Sequence, residues 1–218
     1  MGVRWYIGLS ALALLVSCSK EEDILPNQQQ RIVSFLTGSH SPRLLSEADA
    51  AVSLDNDPPY YSTFGNTTYR YIADVYDAER LSRPEVTAGC RIDVTFSLYD
   101  FSEYRSLTTE TCVYSNDTVM INRLVADGLN PTHWVQCDDS GVPLLDGNGQ
   151  FVPYACEIEV GGSGVLKGLR AAFVGCREQD EVEFYMTYNE AYGEKLIVGL
   201  MPKQSPVAMV CTINKVTK

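Results

Sequence analysis

Apolar and polar residues alternate through several short stretches in the later part of the chain, and each stretch reads as a half-buried strand. From Arg91 to Phe101, Ile92, Val94, Phe96 and Leu98 fall on one side, while Arg91, Asp93, Thr95 and Ser97 fall on the other. Glu157 to Val160 turns Ile158 and Val160 inward, and Glu181 to Tyr188 does the same with Val182, Phe184, Met186 and Tyr188. Val207 to Ile213 places Val207, Met209, Cys211 and Ile213 on one face, and Thr67 to Ile72 is a further run of β-favouring residues. A period of two with a polar partner face predicts an antiparallel sheet with one side wet. Between these strands the period changes. Leu166, Leu169 and Phe173 recur at helical spacing within Val165 to Val174, which predicts one short helix covering the apolar face. The fold class is therefore α+β: a single antiparallel sheet wrapped on one helix.

The remaining segments are less regular. Gln28 to Leu36 has an apolar side (Ile32, Val33, Phe35, Leu36) and predicts a short helix. Ser39, Pro42, Asp55, Asn56, Asp57, Pro58 and Pro59 then punctuate the chain, so residues 18–64 read as a tether that packs in part on the domain. A globular domain is expected over 65–218. Within it, about 102–152 forms a long insertion. This insertion holds a helical stretch from Thr118 to Asp127 and two turn-rich clusters, Asp138-Asp139-Ser140-Gly141 and Asp146-Gly147-Asn148-Gly149.

The first residues read as an address rather than as structure. Arg4 precedes an apolar run from Trp5 to Val16, which is too short for the roughly 20 residues that span a bilayer. The run ends in Leu15-Val16-Ser17-Cys18, which resembles the lipobox of bacterial lipoproteins. The resemblance implies that residues 1–17 are a signal peptide and that Cys18 is the acylated first residue of the mature chain. Each buried methylene contributes about 0.8 kcal/mol, so two or more acyl chains hold a protein at a membrane stably. Ser19-Lys20-Glu21-Glu22-Asp23 resembles the surface-export signal of lipoproteins in some Gram-negative bacteria. Outer-membrane anchorage follows, with display at the cell surface or, alternatively, on the periplasmic face.

Charge and composition narrow the chemistry. The formal net charge is −11, with no Lys/Arg cluster, which argues against nucleic acid as a partner. His40 and His133 are too few and too far apart to suggest zinc. The Asp-rich turns lack the spacing of a calcium loop. No Ser-His-Asp arrangement or phosphate-cradling motif occurs, and no cofactor or metal is expected. Besides Cys18 there are six cysteines: Cys90, Cys112, Cys137, Cys156, Cys176 and Cys211. In an exported chain they could pair in several ways. Cys156 and Cys211 fall on inward strand faces and are expected to be buried thiols.

An ordered set of motifs carries a more specific signal. Val160-Gly161, Val165-Leu166-Lys167-Gly168-Leu169, Glu190-Ala191-Tyr192-Gly193, Leu200-Met201-Pro202 and Met209-Val210-Cys211-Thr212-Ile213 follow one another at spacings similar to those of FKBP-type peptidyl-prolyl isomerases. Upstream, Pro84-Glu85-Val86-Thr87-Ala88-Gly89 and the strand through Phe96 fit the same pattern. The resemblance implies an FKBP-like half-barrel. It implies a pocket of Phe96, Tyr114, Cys156, Val165, Leu166, Leu169, Ile197, Leu200, Met201 and Met209. Tyr192 would donate its hydroxyl to the bound peptide carbonyl, and Asp117 would supply the flap carboxylate. It further implies proline-containing polypeptides as partners, with or without chaperone activity. The departures are specific. The insertion is longer than in small members, Leu169 stands where the family has Trp, Met209 where it has Phe, and Tyr114-Ser115-Asn116-Asp117 displaces the acid of the flap motif. These leave a second reading open: a non-catalytic binding or scaffold lipoprotein that keeps the fold.

The anchor can be tested directly. Cys18→Ser should move the protein from the membrane fraction to the soluble one. A variant that still partitions into detergent like the parent would overturn the lipoprotein reading.

Overall fold

The computed structural model describes residues 23–38, 40, 41, 43–45, 52 and 62–218. The expected signal peptide, Cys18 and much of the expected tether lie outside the described residues. The first described element is a helix over 23–37, here α1. The strands are β1 (Ser62–Phe64), β2 (Thr68–Ile72), β3 (Arg91–Asp100), β4 (Cys112–Ser115), β5 (Glu157–Glu159), β6 (Glu181–Met186) and β7 (Val207–Thr217). Two further helices are α2 (Thr118–Ala126) and α3 (Lys167–Ala172). All strand pairs are antiparallel, in the order β1-β2-β6-β7-β3-β4, with β5 beside the first residues of β3. The architecture is thus α+β, as the alternation implied.

β7 is the central strand. One edge pairs with β6 from Val207↔Met186 to Thr212↔Glu181, and the other pairs with β3 along its length. The inner face of the sheet carries the positions predicted from period two. Ile92, Val94, Val182, Phe184, Met186, Val207, Met209, Cys211 and Ile213 are all buried there. α3 closes this face with Leu169, Ala172 and Phe173, and Phe173 meets Phe184 edge-on at 5.0 Å. Gly168 makes this approach possible. A Cβ at that position would lie 2.4 Å from Thr68 Oγ1, 2.9 Å from Glu190 Cβ and 3.1 Å from Met186 Sδ. Only a residue without a side chain lets the helix sit this close to β2 and β6.

The expectation of a wet outer face is corrected by the structure. Tyr69, Tyr71, Tyr99, Phe101, Tyr185 and Ala208 form a second buried layer, and α1 covers it with Ile32, Phe35 and Leu36. Gln28, Ile32, Phe35 and Leu36 are the buried positions of α1, and their spacing places them on one helical stripe. Beneath α1 the outward strand positions are mainly tyrosines, and a tyrosine ring can be buried while its hydroxyl keeps a polar partner, as that of Tyr185 does with Glu183 on the same face. α1 is also longer than the predicted Gln28 to Leu36. β1 and β4 were not anticipated: the sheet begins at Ser62, before the expected boundary at residue 65, and β4 lies inside the expected insertion.

The insertion is ordered by its own small core. Ile121 and Leu124 of α2 pack on Trp134 and Val135, and Tyr114 joins them with its ring 5.4 Å from that of Trp134. Its turn clusters are stabilised by carboxylates that accept backbone N–H groups. Asp138 accepts from Ser140 and Val142, and Asp146 from Asn148 and Gln150.

The packing predicts contrasting mutational effects. Phe184→Ala should destabilise by roughly 3–5 kcal/mol, and Gly168→Ala by about 1–3 kcal/mol through overpacking. Lys215→Ala, at an exposed position, should stay within about 0.5 kcal/mol of the parent. Chemical denaturation of the three variants checks this; equal small losses would contradict the registers.

Candidate functional site

A cavity of about 440 Å³ opens at one end of the inner face. β3 contributes Phe96 and Leu98, β7 contributes Met209, and the first turn of α3 with the residues before it contributes Val165, Leu166 and Leu169. The segment from Cys156 to Glu159 and the turn Gly162-Ser163-Gly164 form the opposite wall. Tyr192 enters from the loop after β6. The lining is mainly apolar, with Glu157, Glu159 and Ser163 at polar positions.

Local structure explains these placements. The C-terminal half of β3 parts from β5 and pairs with β4, so a gap opens along its edge. Asn116 mends the gap. Its Oδ1 accepts from the Phe96 N–H at 2.6 Å, and its Nδ2 donates to the Val94 carbonyl at 2.9 Å. Phe96 is thereby fixed at the cavity wall, with Tyr114 behind it at a ring distance of 5.6 Å. α3 is fixed by the Gly168 contact and by Lys167, whose Nζ lies 2.7 Å from Glu190 Oε1. The same pair holds the turn that leads to Tyr192. The chain reverses after Tyr192 because Gly193 takes a φ of +62°. Burial raises the Tyr192 phenol above its ordinary value, so it is a neutral donor. Among the described residues that hydroxyl has no hydrogen-bond partner.

Of the residues anticipated from sequence, the structure brings Phe96, Cys156, Val165, Leu166, Leu169, Tyr192 and Met209 into this one cavity. Tyr114 stands one layer back. Ile197 and Met201 bond to each other through their backbones and pack on the core cluster behind the cavity. Leu200 is not in the cavity: it is half exposed and lines a separate, polar depression with Asp100 and Glu110. Asp117 is also not in it. Its carboxylate caps α2 by accepting the Val119 N–H at 2.9 Å, and it borders a depression with Tyr99, Met120 and Val210 on the outer face. An Asp directly before a helix satisfies an otherwise orphaned N–H, and that duty draws it away from the cavity. Sequence reasoning missed Leu98, Ile158, Glu157, Glu159 and the Gly162–Gly164 turn. The inward phase of Leu98 and Ile158 was the available signal; nothing local marked the glutamates.

The remaining side chains limit the chemistry. The six described cysteines are free thiols. Burial pushes Cys112 up to about 12 and Cys176 up to about 11, and raises Cys156 and Cys211 as well. A thiol that holds its proton is a poor nucleophile, so Cys156 acts in the cavity as apolar surface. Among the described residues no group of three or more His, Cys, Asp or Glu side chains could hold a metal ion. What the arrangement can do is desolvate an apolar or amide-containing guest and offer it one phenolic hydrogen bond.

No protein-family model matches the chain, and no curated protein matches it. Among solved structures, the N-terminal domain of FKBP42 from Arabidopsis thaliana is similar, with 7% identity over 75% of this chain and 100% of that one, at a TM-score of 0.42.

The buried thiols make an alkaline prediction. Their folded-state values lie above the ordinary 9.0, so the unfolded chain releases these protons first as pH rises. The stability they contribute is complete below about pH 9 and is lost between there and about 12. Denaturant midpoints should therefore fall across that window, and Cys112→Ser should flatten the fall. A midpoint independent of pH would contradict the burial of these thiols.

Proposed function

We propose that this chain is an FKBP-type peptidyl-prolyl cis-trans isomerase, lipid-anchored through Cys18 at the outer membrane and acting on exported or surface proteins. The observation that carries the reading is the convergence of Phe96, Val165, Leu166, Leu169, Tyr192 and Met209 on one apolar cavity. They come from distant segments, and the FKBP resemblance in their sequence motifs named them as a set.

The chemistry requires no nucleophile, metal or cofactor. Rotation about an X-Pro bond crosses a barrier of roughly 18–20 kcal/mol that arises from amide resonance. Water stabilises the charge-separated resonance form. An apolar cavity that strips water from the amide lowers the cost of twisting it. In this reading Leu169 forms the floor, Phe96 and Met209 the side wall, and Val165 and Leu166 the rim at the helix start. Tyr192 donates to a peptide carbonyl and so holds one side of the twisting bond in place. Extended residues beside the proline would pass between the Tyr192 loop and the Glu157–Glu159 wall.

A second reading is supported by a specific observation. The anticipated flap acid, Asp117, is engaged at the α2 cap and faces away, so no flap carboxylate meets the guest. A non-catalytic module that binds proline-containing segments would keep the cavity and lack the acceleration.

One assay separates the two readings. The full chain in detergent should accelerate cis-to-trans conversion of a short Leu-Pro peptide, modestly, through desolvation alone. Tyr192→Phe should weaken peptide binding by about 0.5–1.5 kcal/mol, the net worth of one neutral hydrogen bond. Leu169→Trp should raise the rate if the larger ring fills the floor. No acceleration in the parent and none in the Trp variant would eliminate the isomerase; peptide binding without acceleration would establish the binding module.

A further inference from the structure

Gln28 lies on α1, which covers the outer face, yet its side chain reaches the loop that carries Tyr192 to the inner face. It is 6% exposed. Its Oε1 accepts the Tyr188 N–H at 2.9 Å, and its Nε2 donates to the Gln204 carbonyl at 2.7 Å. Those two residues are the ends of the loop, and the loop closes the circuit itself. Gln204 N–H donates to the Gly193 carbonyl at 3.0 Å, and Gly193 N–H donates to the Tyr188 carbonyl at 2.8 Å. The result is a closed ring of hydrogen bonds through Gln28, Gln204, Gly193 and Tyr188. Tyr192 is the residue next to Gly193, so the ring fixes the peptide group from which the tyrosine projects.

A second feature depends on this ring. Gln204 holds a φ of +59°, a left-handed conformation unfavourable for a residue with a side chain. Such a conformation persists where surrounding contacts over-determine it. Here both backbone groups of Gln204 are used within the ring, and its side-chain amide donates to Glu194 Oε1 at 2.8 Å. A glutamine amide is suited to the role because it offers an acceptor and a donor side by side. A carboxylate supplies only the acceptor, and an apolar side chain would leave a partly buried N–H and a partly buried carbonyl unpaired.

We propose that Gln28 is a positioning residue for Tyr192, and that α1, docked on the back of the sheet, is thereby a working part of the cavity on the front. The proposal rests on the functional reading above for its consequence in peptide binding, but its structural core is independent of that reading. Ile32, Phe35 and Leu36 hold α1 on the outer aromatic layer, and Gln28 transmits that docking around the sheet to the Tyr192 turn. Peptide affinity is then coupled to whether α1 is seated.

The test uses the full chain with Gln28→Ala and Gln28→Glu, read by hydrogen exchange and by peptide binding. In Gln28→Ala the amides of Tyr188, Gly193 and Gln204 should exchange at least tenfold faster, while those of β6 and β7 stay as in the parent. Binding of the Leu-Pro peptide should weaken roughly three- to tenfold, the range spanned by one lost hydrogen bond. Gln28→Glu keeps the acceptor for Tyr188 and should recover protection at Tyr188 but not at Gln204. The glutamate variant also serves should the alanine variant fail to fold. Faster exchange confined to 23–37, with 188–204 unchanged, would overturn the proposal and leave Gln28 as a contact of α1 alone. Equal exchange of the Tyr188 amide in the two variants would also overturn it. Faster loop exchange in Gln28→Ala, together with a parent that neither binds nor isomerises the peptide, would keep the positioning role and remove the isomerase reading.

Discussion

The structure depends on a central strand whose first residues, Val207 to Met209, are buried on both faces. β7 bonds to β6 on one edge and β3 on the other, and its side chains feed two separate layers. Met209, Cys211 and Ile213 meet α3, while Ala208 lies beneath α1. Over these first residues the strand has no wet side, so each face requires a cover there. The inner cover has to be thin, because α3 sits so close to β2 and β6 that Gly168 touches both. That approach leaves Leu169 against the sheet and Val165 and Leu166 at its end, and the cavity is the space left where the helix starts.

The two layers are not independent. A buried polar connection joins the outer helix to the inner loop through Gln28, and another buried pair stiffens the opposite end of the sheet. There Arg80 and Asp180 meet at 2.7 Å through two contacts, Nε to Oδ1 and Nη2 to Oδ2, and the carbonyl and N–H of Asp180 are engaged by Ile213 and Arg177. Removing either member of such a pair strands a buried charge. These polar links specify geometry where apolar contacts alone would tolerate sliding, and both bear on segments that frame the sheet rather than on its middle.

The cavity combines a rigid floor with a wall that is hydrogen-bonded rather than packed. Leu169 and Met209 are buried in the inner core, and Phe96 packs against it. Tyr192 projects from a loop whose neighbours, including Leu196, Val198 and Leu200, are largely exposed. A guest would thus meet fixed apolar surface below and a polar group above whose placement is set by backbone hydrogen bonds. The insertion stands behind the cavity wall, where Tyr114 and Asn116 back Phe96; Tyr104, Leu107, Cys112 and Met120 pack on the outer layer, and Ile121, Leu124, Trp134 and Val135 form a small core of their own.

Much of this was legible in the chain itself. Period-two alternation located β3, β5, β6 and β7, because a side chain's face in a strand is decided by its own position, whatever it packs against, and a run of β-favouring residues located β2. Helical spacing located α3, the apolar side of Gln28 to Leu36 located most of α1, and the stretch read as helical from Thr118 to Asp127 contains all of α2. The motif order from Val165 to Met209 marked five of the fourteen residues that line the cavity: Val165, Leu166, Leu169, Tyr192 and Met209. What the sequence could not decide depends on partners brought together from afar. The outward tyrosines of β2, β3 and β6 look half-polar in isolation, and only the docking of α1 made that face a second core. β4 is too short to show a period, and it exists because β3 offers it an edge. Asp117 had the residue type of a flap acid, but helix capping claimed its carboxylate. Gln28 looked like one more polar residue on a helix; its place beside Tyr188 and Gln204, more than 150 positions away, is a property of the folded chain alone.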